Sequence, residues 1–147
     1  MGKYNHILIA VDLTDEGKQV VLRASDIAQP QGAQLSLVHA IEPLSYAYGG
    51  DIPMDLTAIQ DEIEQQAKLK LAALAETLGI PKERQHIVYG RPEVEIHKLS
   101  KKQEIDLIVI GSHGRHGFQL LLGSTANAVL HGASCDILAV RVRPEPG

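Results

Sequence analysis

The alternation of short apolar runs with helical segments constrains this chain more than any other feature. Five runs rich in Val, Ile and Leu recur along the 147 residues, at 6–12, 34–41, 85–89, 106–110 and 136–142. Each run is too short for an ordinary helix and is typical of a strand buried on both faces. Strands that alternate with helices form a parallel sheet covered on both sides. The sequence therefore predicts one doubly wound α/β domain over residues 1–147.

Four helices are predicted between these strands, over about 16–28, 55–78, 92–102 and 126–131. The second has the clearest periodicity, because its apolar residues step by three or four and make one stripe: Leu56, Ile59, Ile63, Ala67, Leu71, Leu74 and Leu78. The segment 42–53 contains several Pro and Gly residues and is predicted to be the longest loop.

Composition excludes several classes of partner. The 14 Lys and Arg residues form no basic block against 18 Asp and Glu, and aromatic residues make up only 3% of the chain. Such a chain lacks the usual features of nucleic-acid binding. No apolar run reaches the length of a membrane span and no leader pattern opens the sequence, so we expect no membrane partner and a cytoplasmic location. The single cysteine, Cys135, is interpreted as a small buried residue.

A glycine-rich segment after the fourth strand is the most informative candidate site. Gly111 and Gly114 allow close approach of a ligand to the backbone, and Gly123-Ser124-Thr125 opens the last helix. A helix N-terminus with hydroxyl side chains favours an anion such as phosphate. The same residues are also compatible with a simple turn and a simple helix cap.

Two further residues lie at or near the predicted strand ends. Asp12 has two interpretations, whereas His39 has one, as part of the core. Asp12 follows the first strand, where it either meets a ligand or caps the next helix. His39 lies in an apolar strand and is interpreted as a hydrogen-bonded core residue. No lysine lies in a phosphate loop and no carboxylates are paired at the predicted strand ends, so no catalytic residue is predicted. His113 and His116 lack a third ligand, so no metal site is predicted either.

The chain resembles the universal stress proteins, of the UspA-like type, along nearly its whole length. The resemblance rests on ILIAVD at 7–12, LVH at 37–39, GRP at 90–92, DLIVIGSHGR at 106–115, LGSTA at 122–126 and DILAV at 136–140. It implies a five-stranded parallel sheet in the order 3-2-1-4-5. It also implies a homodimer paired through the C-terminal strand, between Ile137 and Arg143.

The resemblance extends to the family's ATP-binding branch, whose signature is G-x2-G-x9-G-[ST]. Eight residues, not nine, separate Gly114 from Gly123, which we interpret as a shortened loop that keeps the site. Carried over by position, the implied contacts with adenine come from Ala10, Val11, Asp12 and the backbone of Ala40. Gly111 and Gly114 would lie against ribose and phosphates, and Gly123, Ser124 and Thr125 would bind phosphates. Arg115, in the loop between these glycines, is charged at pH 7 and is a further candidate for phosphate binding.

The sequence thus favours a regulatory homodimer that binds ATP, alone or with Mg²⁺. Two alternatives stay open. One is a family member that binds no nucleotide and acts as an interaction or scaffold dimer. The other is a slow ATPase that works by positioning alone.

Overall fold

The computed structural model describes residues 3–15, 17–42, 56–111 and 124–143, and of Leu56 and Ser124 only the backbone. Its sheet contains five parallel strands in the order β3-β2-β1-β4-β5, which confirms the order that the resemblance implied. The strands are β1 (His6–Ala10), β2 (Gln34–Ile41), β3 (Gln85–Tyr89), β4 (Leu107–Gly111) and β5 (Asp136–Val140).

Four α-helices connect or follow these strands in the described part of the chain: α1 (Gly17–Gln31), α2 (Leu56–Leu78), α3 (Pro92–Lys102) and α4 (Ser124–His131). A 3-10 turn, Lys82–Arg84, precedes β3. Helix α1 runs further than predicted and contains Pro30 in its last turn, before Gly32 ends it in the left-handed region at φ 66°. Helix α4 begins at Ser124 itself, so Ser124 and Thr125 belong to its first turn.

Each face of the sheet is buried under one pair of helices. Helices α1 and α2 cover the face that carries Ile7, Ile9 and Leu37, whereas α3 and α4 cover the face that carries Leu8 and Ile108. Because β1 and β4 are covered on both sides, their side chains are apolar at nearly every position. This is why the strands appear in the sequence as continuous apolar runs.

Only part of the apolar stripe of α2 reaches this core. Ala67, Leu71 and Ala75 are buried, but Ile59 and Ile63 are 41% and 37% exposed. The first turns of α2 therefore extend past the region where the helix packs on β2 and β3. Periodicity predicts the apolar face of a helix but does not show where its neighbour ends.

Side chains close the sheet at the edge where the strands begin, which we call the amino edge. The carboxylate of Asp106 accepts hydrogen bonds from the backbone N–H of Asn5, at 2.8 Å, and of His6, at 3.1 Å. The His6 ring lies 2.6 Å from the hydroxyl of the buried Ser36, measured from Nε2. Arg84 donates from Nε to the carbonyl oxygen of Leu35 at 2.9 Å. Side chains thus bond to the N–H groups of Asn5 and His6 and to the carbonyl oxygen of Leu35 at this edge.

None of the helices in the described ranges is both long and apolar enough to cross a membrane.

Candidate functional site

The crevice between the ends of β1 and β4 is the natural ligand position of this fold. Strands β2 and β3 lie on one side of β1, and β4 and β5 lie on the other, so the direction of winding reverses between β1 and β4. In open α/β sheets, ligands bind beyond the carboxyl ends of the strands at this switch point. We call this side of the sheet the carboxyl edge. The helix that follows each strand begins there, so the N-termini of α1 and α4 lie at the same edge.

Asp12 forms the turn that leaves β1. Its Oδ1 atom accepts hydrogen bonds from the backbone N–H of Thr14, at 3.0 Å, and from the Thr14 hydroxyl, at 2.7 Å. Leu13 between them has a φ of 64°, which side chains other than Gly, Asn and Asp rarely adopt. The Asp12 side chain is exposed, and Oδ2 has no partner among the described residues. One carboxylate oxygen thus holds the turn, and the other makes no hydrogen bond within the described ranges.

Thr14, not Asp12, caps α1. The N–H of Gly17 donates to the carbonyl oxygen of Thr14, at 3.0 Å, and to its hydroxyl, at 3.3 Å. The interpretation of Asp12 as the helix cap is therefore wrong, because Asp12 only orients the capping residue, with one carboxylate oxygen. Gly17 leaves room for the Asp12 carboxylate, since a Cβ atom at position 17 would lie 2.8 Å from Oδ1 of Asp12. A side chain at 17 would push the carboxylate out of its place.

Strand β2 continues past the end of β1, and this affects the backbone groups of Ala40. Even-numbered residues of β2 bond to the β1 side, as shown by Gln34, which donates to the Asn5 carbonyl, and Val38, which accepts from the Val11 N–H, both at 2.9 Å. By this alternation the N–H and C=O of Ala40 also face the β1 side. Yet β1 has turned away at Asp12, and neither backbone group of Ala40 has a hydrogen-bond partner among the described residues. Within the described ranges, one donor and one acceptor of the same residue are therefore left without a partner at the carboxyl edge.

His39 takes the acceptor that would have continued this ladder. Its Nδ1 atom lies 2.8 Å from the carbonyl oxygen of Val11. A carbonyl oxygen only accepts, so Nδ1 carries the proton in this bond. The interpretation of His39 as a hydrogen-bonded core residue agrees with this geometry, since the side chain is half-buried. The sequence alone does not show its link to Ala40, although the two residues are adjacent in the chain.

Across the crevice, Gly111 ends β4 and Thr125 lies exposed in the first turn of α4. Helix α4 is held against α3 by His97, whose Nε2 lies 2.7 Å from the carbonyl oxygen of Val129. A Cβ atom at Gly132 would lie 2.5 Å from Cε1 of His97, so glycine at that position allows the contact. The position of α4 is thus fixed from its C-terminal half.

The structure brings together part of the predicted site. Ala10, Val11, Asp12, Ala40 and Gly111 lie at the ends of three adjacent strands, and Ser124 and Thr125 begin the helix that follows β4. Gly114, Arg115 and Gly123 lie outside the described residues, as do the side chain of Ser124 and the predicted loop from residue 43 onward. Asp12, Ala40 and Gly111 therefore carry the described geometry of the site.

Cys135 takes no part in this site. It lies before β5 and packs half-buried against the α3–α4 face. Burial, followed by the charges of Asp136 and Asp106, raises the pKa of its thiol. The thiol therefore stays protonated at neutral pH and is a weak nucleophile.

The strand order and the open strand ends define a class of doubly wound α/β proteins with a ligand crevice at the switch point. Within this class, the chain belongs to the universal stress protein family. The family model described as "Universal stress protein family" matches residues 3–141.

Named relatives and solved structures agree with this assignment. Universal stress protein A homolog 1 of Coxiella burnetii is 45% identical over 139 residues, which is 93% of this chain and 96% of the relative. Universal stress protein UspA from Lactobacillus plantarum has a similar structure, with a TM-score of 0.73 at 25% identity, covering 96% of this chain and 100% of that one. A universal stress protein solved in complex with cAMP has the same fold, with a TM-score of 0.60 at 24% identity, covering 95% and 98%.

Proposed function

We propose that this chain binds an adenine nucleotide, ATP in the first place, at the carboxyl edge of its sheet and acts as a regulatory homodimer. The observation that carries the proposal is the pair of backbone groups of Ala40 beside the exposed carboxylate of Asp12. Adenine presents an exocyclic amino donor next to a ring-nitrogen acceptor. Ala40 offers the complementary acceptor and donor in the plane of the sheet.

The rest of the ligand has matching partners. The open oxygen of Asp12 is placed to accept a hydrogen bond from a ribose hydroxyl or the exocyclic amino group. Helix α4 directs its N-terminal N–H groups, at Ser124 and Thr125, toward the same edge, where they favour phosphate. A relative with this fold has been solved with cAMP, which is itself an adenine nucleotide. These features support a nucleotide more than they support the alternative of a pure interaction protein.

Calorimetric titration of ATP into the protein, with and without Mg²⁺, tests the proposal. The sharpest variant is Asp12→Asn, because the asparagine carbonyl keeps the two bonds to Thr14 while an amide donor replaces the open acceptor oxygen. We expect the affinity for ATP to fall about ten-fold or more, since a hydrogen bond to a charged group contributes about 1.5–3 kcal/mol. The melting temperature should change little.

Asp15→Asn is the matched control. Asp15 lies exposed three residues further on, and its side chain makes no hydrogen bond to another described residue. It changes the net charge by the same amount as Asp12→Asn, and its affinity should stay at the wild-type value. If both variants lost the same affinity for ATP, the effect of Asp12→Asn would come from the change in net charge and not from a hydrogen bond to the ligand. A wild-type protein that ignores ATP would favour the non-nucleotide interaction protein, and release of phosphate during the titration would favour the slow ATPase.

The dimer is proposed to form along β5, which is one edge of the sheet. Ala139 is exposed there, whereas Val140 and Val142 point into the core. Both backbone groups of Arg143 are already used by the side chain of Gln19: Nε2 donates to the carbonyl oxygen at 2.6 Å, and the Arg143 N–H donates to Oε1 at 3.0 Å. Strand pairing with a second copy is therefore proposed for 137–141, within the predicted segment that ends at Arg143.

Native mass spectrometry of Ala139→Arg tests this interface. A large charged side chain at an exposed edge position leaves the monomer fold intact but opposes close pairing of two identical edges. We expect a dimeric wild type and a monomeric variant. Leu130→Arg on α4 places the same side chain at another exposed apolar position and should stay dimeric. A wild type that is monomeric at micromolar concentration would overturn the proposed dimer.

A further inference from the structure

We propose that His39 is a positioning residue that keeps the N–H of Ala40 available for the base of a bound nucleotide. The inference rests on the proposed function, and it assigns the choice of base to a side chain that never touches the ligand. It follows from how the β1–β2 ladder ends.

The carbonyl oxygen of Val11 is the acceptor that a longer ladder would give to Ala40. In a parallel pair, a residue whose N–H donates to one residue of the neighbouring strand accepts at its carbonyl oxygen from the residue two positions further along that strand. Val11 donates to Val38, so the expected donor to the oxygen of Val11 is Ala40. The bond is absent from the structure, and Nδ1 of His39 donates to the oxygen instead, at 2.8 Å. His39 thus satisfies the end of β1 from the side.

If Nδ1 of His39 did not donate, the carbonyl oxygen of Val11 would have no hydrogen-bond donor within the described ranges. Val11 itself is buried, so leaving its oxygen unpaired is unfavourable. The N–H of Ala40 faces that side of β2 and is the group that would donate to this oxygen in a continued ladder. Loss of the His39 bond is therefore expected to extend the ladder by one rung and to remove the donor from the crevice.

The consequence concerns which base is preferred. A base with a ring-nitrogen acceptor beside an amino donor, as in adenine, matches the donor and acceptor of Ala40. Hypoxanthine has nearly the same shape, but a ring N–H donor beside a carbonyl acceptor reverses the pattern. A site built on one donor and one acceptor rejects the reversed pattern, because both groups would face their own kind. The preference for ATP over ITP therefore shows whether the N–H of Ala40 is available to the base or is bonded to Val11.

Two amide variants separate the role of Nδ1 from mere polarity. In His39→Asn the side-chain amide nitrogen takes nearly the position of Nδ1 and keeps a donor for Val11. In His39→Gln the amide lies near the position of Nε2, and that donor is lost. We expect wild type and His39→Asn to prefer ATP over ITP to a similar degree. In His39→Gln the preference should fall about ten-fold, the size expected for one hydrogen bond between ligand and protein.

A second measurement needs no ligand. Hydrogen exchange of the Ala40 amide, followed by nuclear magnetic resonance, should be fast in free wild type and His39→Asn, and slowed in His39→Gln, where the N–H bonds to Val11. A residue that only stabilises the fold would lower the melting temperature without changing either the ATP/ITP ratio or the exchange of this one amide.

The outcomes distinguish the inference from the proposed function. If wild type binds ATP with a preference over ITP and His39→Gln keeps that preference, the role of His39 is overturned while the nucleotide site stands. A protected Ala40 amide in free wild type would overturn it in the same way. If wild type binds neither nucleotide, the proposed function fails and the role of His39 in base selection fails with it.

Discussion

The two edges of the sheet are built from similar residues but are finished in opposite ways. At the amino edge, Asp106 accepts from two backbone N–H groups with its two carboxylate oxygens. At the carboxyl edge, Asp12 uses one oxygen for its own turn, and the other has no partner among the residues that the structure describes. The same contrast holds for histidine. His6 at the amino edge bonds to the buried Ser36, whereas His39 at the carboxyl edge bonds to Val11 in place of Ala40, which has no partner in the same ranges.

The difference separates stability from binding. At the amino edge, Asp106, Ser36 and Arg84 are paired, so removing one of them takes a hydrogen-bond partner from another group. At the carboxyl edge, Oδ2 of Asp12 and the backbone groups of Ala40 have no hydrogen-bond partner in the described part of the chain. Groups of this kind are what the proposed ligand site requires. Substitutions at the two edges should therefore have different signatures.

The largest effect on stability is expected for Asp106→Ala at the amino edge. The change removes the acceptor of two backbone N–H groups, one of them on β1, and should lower the free energy of unfolding by about 2–3 kcal/mol. Denaturant unfolding measures this loss. ATP affinity of the folded protein should be unchanged, and a parallel loss of affinity would contradict the separation of the edges.

Gly32→Ala should lower stability by less. Gly32 ends α1 near the amino edge at φ 66°, a conformation that costs a residue with a Cβ atom about 1–2 kcal/mol, although no atom crowds the position. The same denaturant titration gives the value. Binding of ATP should again be unaffected.

Gly17→Ala is the matched substitution at the carboxyl edge. The exposed Asp12 side chain can move away from the new Cβ atom, and alanine favours the helix, so the free energy of unfolding should change by less than about 1 kcal/mol. The displaced carboxylate would no longer face the ligand, and we expect ATP affinity to fall about ten-fold. A variant that loses stability but keeps its affinity would assign Asp12 to the turn alone.

The smallest effect is a pH dependence at the amino edge. Burial lowers the pKa of His6, and Arg84 adds to this while Gln103 and Asp106 oppose it. Burial also lowers the pKa of His86, with smaller contributions from His6 and Lys102. Below the ordinary histidine pKa of 6.5 the unfolded chain binds protons that the folded chain resists. Stability is therefore complete above pH 6.5 and decreases as the pH falls through that value toward the folded pKa.

Unfolding titrations at pH 7.5 and 5.5 measure this decrease. His86→Leu should reduce the pH dependence of the free energy of unfolding. Nε2 of His86 is buried without a hydrogen-bond partner among the described residues, so the substitution removes a titrating group without removing a hydrogen bond from Nε2. Equal pH dependence in wild type and His86→Leu would exclude His86 as a contributor.

Sequence reasoning predicted the elements better than their ends. The runs at 34–41 and 85–89 match β2 and β3, and the helix over 92–102 matches α3. The first strand ends at Ala10, not at residue 12, because the Asp12 turn begins there. Val11 continues the apolar pattern of the strand, and only the pairing with β2 shows where the ladder stops.

The site was predicted residue by residue only where the family resemblance reached. Asp12 and Ala40 lie at the carboxyl edge, and their contact with a ligand stays a prediction. Gly17 was missed, because a glycine in the first turn of a helix has no distinctive spacing and its value depends on the direction of the Asp12 carboxylate. The link between His39 and Ala40 was missed for a similar reason. It depends on which side of β2 each backbone group faces, and that follows from register.

The closed amino edge has a consequence for how proteins of this architecture diverge. The bonds made by Asp106, Ser36 and Arg84 stabilise the sheet at the edge opposite the crevice. Substitutions at the carboxyl ends of the strands are therefore expected to cost little stability. Lineages are then free to exchange the residues that read a ligand while the scaffold persists. Conservation of ligand within such a lineage would reflect selection on binding, not a requirement of folding.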